Sequence, residues 1–318
     1  MPPKSNTLIA VVGPTASGKT ALAIALAKEL GGEIVSADSM QIYRGMDIAT
    51  AKPTPEEMAE VPHHLIGFWP PEKPFSVAQY AILAREKIDD ILRRGRVPVL
   101  CGGTGLYIKA IVDHIQYEEE TGEDAALRER LRRQAQDEGN LAVWRQLQAM
   151  DPQTAERIHP NNLGRVIRAI EVMQVSGRSI REQEERSRQA PCPYHVIQIG
   201  LRYRNRENLY ERIGRRVDAM AEAGLPEEAR AVRQQGLTAT AAQAIGYKEL
   251  YDWMDGTLPL EEALENLKRS TRRYAKRQLT WFGADARIRW IEPDALQAGE
   301  TVTEQAMRII ENDGEETA

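Results

Sequence analysis

Four short runs of apolar, β-favouring residues punctuate the chain: Leu8 to Val12, Glu33 to Ala37, Val97 to Cys101 and His195 to Leu201. Each is near-continuously apolar in its middle, the pattern of a strand covered on both faces. Helix-forming segments lie between them. Thr20 to Leu30 is rich in Ala and Leu and is stopped by Gly31-Gly32; Val77 to Arg94 begins behind Ser76, a candidate N-cap, and stops at Gly95. Strands alternating with helices predict an α/β fold, a parallel sheet flanked by helices and joined by right-handed crossovers. From Glu118 to about Arg188 the pattern changes to an arginine- and glutamine-rich, helix-prone stretch interrupted by Pro152, Pro160 and Gly177. Strand signal returns only at His195, followed by helices over Arg206 to Ala223 and Leu260 to Phe282. The expected organisation is a core over 1–117, an all-helical insertion over 118–192, the rest of the core over 193–310 and a disordered acidic tail over 311–318.

Directly after the first apolar run comes Gly13-Pro14-Thr15-Ala16-Ser17-Gly18-Lys19-Thr20, which fits the phosphate-cradling pattern GxxxxGK[ST], and a helical segment follows it. Strand, glycine loop and helix are the context this motif requires, so the expected fold is P-loop NTPase-like. Backbone N–H groups of the loop turn inward, the helix N-terminus adds partial positive charge, and Lys19 sets an ammonium against the outer phosphate. Thr20 offers its hydroxyl to Mg2+, the cofactor this loop implies. The loop predicts polyphosphate or diphosphate binding without choosing the compound.

In such sheets ligands collect at the carboxyl ends of strands. After the second strand stand Asp38, Ser39, Met40 and Gln41, and after the third stand Gly102-Gly103-Thr104-Gly105, so Asp38, Ser39, Gln41 and Thr104 are expected to face the loop. Asp38 fits a magnesium ligand, a general base, or a cap on the turn with Ser39. Thr104 fits either a hydroxyl aimed at a leaving phosphate oxygen or a tight turn that needs small residues. His63-His64 lacks a third ligand at metal spacing and reads as loop packing or a substrate contact.

Composition narrows the class. The chain has 318 residues, 42% hydrophobic and 28% charged, which is neither disordered nor membrane-spanning in character. Met1 to Thr7 carries no long apolar stretch, so no secretory signal is expected, and the expected location is the cytoplasm. Cys101 and Cys192 are isolated in sequence and support neither a zinc finger nor a disulfide framework. The net charge of -5 hides an uneven distribution, because Lys268 to Arg277 holds six basic residues and no acidic one. Tyr274, Leu279, Trp281 and Phe282 give that helix an apolar side, so its basic face suits a phosphate backbone. Arg128 to Arg133 reads as a solvated helix face from its charge alone.

Together these segments resemble the bacterial tRNA dimethylallyltransferase family. The resemblance rests on GPTASGKT at 13–20, SADSMQIYRGMDIATAKP at 36–53, PHHLIG at 62–67, GGTGLYIKA at 102–110, IHPNN with RVIRAIEV at 158–172, IGYKEL at 245–250 and YAKRQLTWF at 274–282. It implies transfer of a dimethylallyl group from its diphosphate to the exocyclic amine of the adenosine just 3′ of the anticodon in tRNA. The loop, although of the ATP-binding type, then holds the diphosphate leaving group through Gly13, Thr15, Ala16, Ser17, Gly18, Lys19 and Thr20. Asp38 is implied as the base, with Thr104 and Arg216 as further catalytic residues and Arg212 as an alternative to Arg216. The tRNA contacts implied are Asp38, Ser39, Met40, Gln41, Thr104, Arg128, Gly164, Arg165, Val166, Ile167 and Arg168. Gly164 stands where relatives can carry a polar side chain, so a contact there would use backbone. The insertion would grip the anticodon stem-loop, and a monomer without an obligate protein partner is the expectation.

Three rivals use the same loop differently: a small-molecule kinase turning over ATP, a nucleotide-switched RNA-binding protein, and transfer of the allyl group to free adenine nucleotides. The insertion and the basic helix speak against the last, since a mononucleotide offers no stem to hold.

Overall fold

The computed structural model describes residues 5–117, 124–187 and 190–316. Six strands form one sheet: β1 (Thr7–Val12), β2 (Glu33–Ser36), β3 (His63–His64), β4 (Pro98–Gly102), β5 (His195–Leu201) and β6 (Arg289–Ile291). Their spatial order is β3-β2-β4-β1-β5-β6 and every pairing is parallel. In the middle of the sheet Ile9 stands opposite Val99 on one side and Ile197 on the other. All of β1 is buried, which is why its sequence is apolar without alternation. Strands β3 and β6 are new relative to the sequence reading; at two and three residues, with polar members, they carry no pattern of their own.

The first part of the core adds α1 (Lys19–Glu29), α2 (Pro55–Glu60), α3 (Val77–Arg93) and α4 (Gly105–Val112). Ser76 caps α3 as expected, in a reciprocal box with Gln79, and Tyr80, Ala84, Ile88 and Ile91 form its buried stripe. The Tyr80 hydroxyl donates to Ser36 O at 3.0 Å, and its ring stacks on Tyr107 of α4. The chain divides into two compact units, one formed by 1–112 and 193–318 and the other by 113–192. The second unit contains α5 (Ala125–Glu138), α6 (Asn140–Met150), α7 (Pro152–Arg157), α8 (Leu163–Ser176) and α9 (Ile180–Ser187). Leu127, Leu131, Val143, Leu147, Val166 and Ile170 pack its own core. The first unit resumes with β5 and adds α10 (Arg206–Glu222), α11 (Leu225–Gln234), α12 (Tyr251–Met254), α13 (Leu260–Gly283) and α14 (Val302–Glu316).

Helix α14 corrects the expected tail: residues 311–316 are helical, and only 317–318 lie outside the described residues. The acidic composition misled because Asp313 is a partner inside the fold, accepting from Arg289 and lying 2.5 Å from His195 Nε2. Ala306 and Ile310 of the same helix join the core against α1 and β5. No helix among the described residues is long and apolar enough to cross a membrane.

His63 and His64 serve the sheet edge. His63 Nδ1 lies 2.8 Å from Val61 O, and His64 Nε2 lies 2.7 Å from a carboxylate oxygen of Glu33, which Arg94 and Arg96 also engage. The Glu33 side chain is only 4% exposed. The Arg94 hydrogen bonds outweigh burial and, with His64, hold the Glu33 carboxyl down at about 2. Its stabilising contribution is therefore present above the unfolded value of about 4.3 and is lost as pH falls from there towards 2, an effect of about 3 kcal/mol. Urea unfolding at neutral pH should show Glu33→Gln weaker by about that amount, with the gap to the parent chain closing in acid.

Candidate active site at the carboxyl ends of the strands

The glycine loop leaves β1 and enters α1 through Gly18, whose φ of 96° is a left-handed conformation that suits glycine. Ala16 also takes positive φ, at 62°, a conformation uncommon for a residue with a Cβ. The Ser17 hydroxyl is buried with no hydrogen-bond partner among the described residues, an acceptor-seeking group inside the loop. Among the described residues Lys19 Nζ donates to Pro14 O at 3.2 Å alone. Lys19 and Thr20 line two cavities in this unit, of about 420 and 340 Å³, and Arg216 lines both.

Arg216 and Arg212 stand one turn apart on α10 and differ in what holds them. The Arg212 guanidinium donates to Ala16 O at 2.9 Å and lies 5.7 Å from the Tyr203 ring centroid, so it braces the loop while also lining the larger of the two cavities. Arg216 is half-buried and has no ion pair or hydrogen bond among the described residues. Burial holds its guanidinium below the usual range, against the attraction of Asp38 and with repulsion from Arg212. A guanidinium so placed favours an incoming anion.

Asp38 caps its turn, one of the roles read from sequence. Its Oδ1 accepts from Met40 N at 2.9 Å and, less closely, from Gln41 N at 3.4 Å, an aspartate turn that fixes the carboxylate. Oδ2 has no such partner among the described residues, and the side chain lines the smaller cavity with Lys19, Thr20 and Arg216.

Thr104 is placed differently from its expected catalytic role. Its Oγ1 accepts from Ser39 N at 2.9 Å and lies 3.2 Å from Ser39 Oγ, and it is not among the residues lining either cavity. The hydroxyl ties the turn after β4 to the turn after β2, which is a positioning role. Gln41 lines the cavity, but its amide is a brace: Oε1 accepts from Ser36 Oγ at 3.0 Å and Nε2 donates to Ala51 O at 3.0 Å.

Two residues went unread as site components. Gln278 of α13 accepts from Thr15 N at 2.9 Å and donates to Gly103 O at 2.9 Å, so one buried amide clamps the phosphate loop to the turn after β4. The approach explains the double glycine, since a Cβ on Gly103 would lie 2.2 Å from Gln278 Nε2. Tyr274, one turn before Gln278, lines the cavity with Asp38 and hydrogen-bonds Thr104 behind it, and burial pushes its phenol well above the usual range. The signal for both was the amphipathic spacing of α13, in which Leu267, Thr271, Ala275, Gln278 and Phe282 are buried while Arg269, Arg273, Lys276 and Arg277 are exposed. Lys268 drops out of the basic face, because Asp218 and Glu265 each pair with it at 2.8 Å. Removing the clamp with Gln278→Ala is expected to weaken binding of an allylic diphosphate analogue about tenfold, read by calorimetric titration. Gly103→Ala, which pushes the amide aside, should give the same defect.

Lys19 makes a pH prediction. Burial, assisted by repulsion from Arg216, holds its ammonium below the usual 10.5, against the opposing pull of Cys101 and Asp38. Cys101, directly under the loop, is pushed up to about 12 by the same burial. As pH rises through the lowered Lys19 value the charge is lost, so KM for a diphosphate substrate should climb at a pH below 10.5. Lys19→Arg, which stays charged, should remove that climb from the KM against pH profile.

In the helical unit a separate cavity of about 550 Å³ gathers Arg128, Arg132, Asn140, Gly164, Ile167 and Arg168. Val166 is fully buried and Ile167 nearly so, and both belong to the unit's core, Ile167 also lining the cavity. Arg165 is exposed, outside the cavity lining. Arg128 and Arg168 converge on buried Glu171 at 2.7 and 2.6 Å. Burial alone would raise Glu171, but the two arginines outweigh it and hold the carboxyl below its usual range. Gly164 is exposed with open space around the direction of a Cβ.

A parallel sheet with a glycine phosphate loop, a fixed carboxylate and an unpaired arginine defines a P-loop enzyme. A sequence model of the IPP transferase family matches residues 41–285, and one described as isopentenyl transferase matches residues 6–65. The tRNA dimethylallyltransferase of Geobacillus thermodenitrificans is 49% identical over 307 residues, covering 96% of each chain, and that of Caldanaerobacter subterraneus is 45% identical over 306 residues, covering 95% of this chain and 97% of the relative. The crystal structure of a tRNA isopentenylpyrophosphate transferase from Bacillus halodurans is similar with a TM-score of 0.71 and 43% identity, covering 98% of this chain and 99% of that one. A eukaryotic dimethylallyltransferase described as acting on tRNA gives a TM-score of 0.81 at 27% identity, covering 98% of this chain and 80% of the other. The chain belongs to the IPP transferase family.

Proposed function

We propose that this chain transfers a dimethylallyl group from dimethylallyl diphosphate to the exocyclic amine of the adenosine 3′-adjacent to the anticodon in tRNA. The observation that carries the reading is the single cavity lined by Lys19, Thr20, Asp38 and Arg216, a diphosphate cradle with a carboxylate at its edge. The exocyclic amine of adenine is a weak nucleophile, its lone pair delocalised into the ring. Asp38 Oδ2 accepts its proton as the nitrogen bonds to C1 of the allyl group and the C1–O bond breaks, with the electron pair leaving on diphosphate. Lys19 and Arg216 stabilise the departing charge. The Oδ1 turn keeps the carboxylate aimed while Oδ2 works.

The Thr20 hydroxyl at the head of α1 is an oxygen donor that suits Mg2+, which would complete its shell with phosphate and water oxygens. Bound there, Mg2+ neutralises charge on the diphosphate. The target base must leave the anticodon stack to reach the strand ends. The basic face of α13 and the cavity of the helical unit supply phosphate contacts, through Arg273, Lys276 and Arg277 in the first and Arg132 and Arg168 in the second. Ser39 and Met40 line the cavity and are assigned contacts to the flipped nucleotide, with Gly164 and Arg165 assigned to the stem-loop. The protein acts as a cytoplasmic monomer, with tRNA and the diphosphate as its partners.

Incubating the protein with Mg2+, allyl-labelled dimethylallyl diphosphate and unmodified tRNA tests this. Label is expected in the RNA, at the anticodon-adjacent adenosine. ATP turnover without RNA labelling would overturn the proposal in favour of a kinase.

A further inference from the structure

The stretch from Met46 to Ala51 lies outside any helix or strand, yet Ala49 and Thr50 line the cavity that contains Asp38. Its local ties are turns: Ala51 N donates to Ile48 O at 2.9 Å, Lys52 N to Asp47 O at 3.0 Å and Thr50 Oγ1 to Met46 O at 2.6 Å. The support that sets its place comes from α11. Three consecutive backbone donors, Asp47 N, Ile48 N and Ala49 N, converge on the Glu228 carboxylate at 2.8, 2.7 and 3.0 Å, the arrangement by which backbone cradles an anion. The Tyr247 hydroxyl donates to the same carboxylate at 2.8 Å. Next to Tyr247, a Cβ on Gly246 would lie 2.6 Å from Ala49 Cβ, so this turn also presses on the loop. Helix α11 does not need the carboxylate for its own seat, because Leu225, Ala229 and Val232 are fully buried beneath it. From the loop the connection runs on to Asp38. Gln41 Nε2 donates to Thr50 O at 3.3 Å and to Ala51 O at 3.0 Å, which commits its amide protons to the loop. Gln41 Oε1 accepts from Ser36 Oγ at 3.0 Å at the end of β2, and Gln41 N donates to Asp38 Oδ1 at 3.4 Å. The phosphate loop is held separately, by Arg212 at Ala16 O and by Gln278 at Thr15 N.

Resting on the transferase reading above, we infer that Glu228 is a positioning residue for the proton transfer: its carboxylate holds the loop over 46–51, the loop holds Gln41, and Gln41 keeps the Asp38 turn aimed at the adenine nitrogen. A carboxylate suits this place because it accepts from all of these donors and donates nothing. An amide there would turn its own N–H groups towards backbone donors that need an acceptor. Since the two sets of supports are separate, loss of Glu228 displaces the group that takes the proton and leaves the diphosphate in place. A shift of about 1 Å at a reacting group is enough to slow a reaction by about a hundredfold.

Steady-state transfer to unmodified tRNA, with calorimetric titration of inorganic diphosphate in parallel, tests the assignment. Glu228→Ala is expected to lower kcat by about 10–100-fold, while KM for dimethylallyl diphosphate and the affinity for inorganic diphosphate stay within about twofold of the parent. The truncation removes a methylene and the carboxylate, and acetate has the size and charge to replace them in the cradle. Acetate should therefore raise kcat of Glu228→Ala by about fivefold or more over chloride at equal ionic strength, and leave the parent chain and Asp38→Asn unchanged. Glu228→Gln keeps the side-chain volume, so it carries the test if the truncated chain does not fold; the same kcat loss is expected of it, without a response to acetate. A kcat within about threefold of the parent in the folded variants, diphosphate binding weakened as much as kcat, or no acetate response in folded Glu228→Ala would each overturn the assignment. Failure of the parent chain to transfer dimethylallyl at all is a different result and would overturn the transferase reading itself.

Discussion

Asp38→Asn is expected to lower kcat by about two to four orders of magnitude while tRNA affinity stays within about threefold. Asparagine is the sharper substitution because its side-chain oxygen still accepts from Met40 N, as Oδ1 does in the parent chain at 2.9 Å. The turn survives and only the proton acceptor is removed. Asp38→Ala removes both, so its loss should be at least as large and should include a structural component. Single-turnover transfer together with filter binding of tRNA separates the two effects. Equal losses of affinity and rate in Asp38→Asn would mean that the carboxylate positions the nucleotide and does not take its proton.

The second large effect is expected at Arg216. Arg216→Gln should lower kcat by about 10²–10³, the scale seen when one donor to a developing negative charge is deleted. Arg212→Gln should cost less than about tenfold, because that guanidinium already donates to Ala16 O and acts through the loop's shape. Measuring kcat and KM for both variants decides between the two arginines, which sequence alone left as alternatives. A larger kcat loss at Arg212 would reverse the assignment.

The parts of the fold written in local pattern were legible before any coordinates. The buried runs at Leu8, Glu33, Val97 and His195, the capping residue Ser76 and the glycine loop each carry their signal within a few neighbouring residues. What escaped is long-range. Gln278 meets Thr15 across 263 positions, and no spacing rule connects an amide in a basic helix to a backbone N–H at the other end of the chain. Glu228 accepts from three consecutive N–H groups, Asp47, Ile48 and Ala49, and from the Tyr247 hydroxyl, and so shapes a loop lining the cavity from a helix far away in sequence. The same logic explains the residues read too simply. Thr104 and Gln41 do stand at the strand ends, yet their hydrogen bonds go to Ser39 and to Ser36 and Ala51. Family position identified the neighbourhood, and hydrogen-bond partners distinguish a reacting group from a brace within it. Acidity at the C-terminus likewise suggested solvent until Arg289 and His195 were found beside Asp313.

On the proposed reaction, the phosphate loop holds a leaving diphosphate whose departure is tied to alkylation of RNA. The most direct test is one stoichiometric measurement: diphosphate released and allyl groups fixed in tRNA, counted in the same reaction, with and without RNA. Equal amounts of the two products are expected, with no diphosphate release when tRNA is withheld. Diphosphate released without RNA alkylation, or alkylated RNA formed without diphosphate, would contradict it.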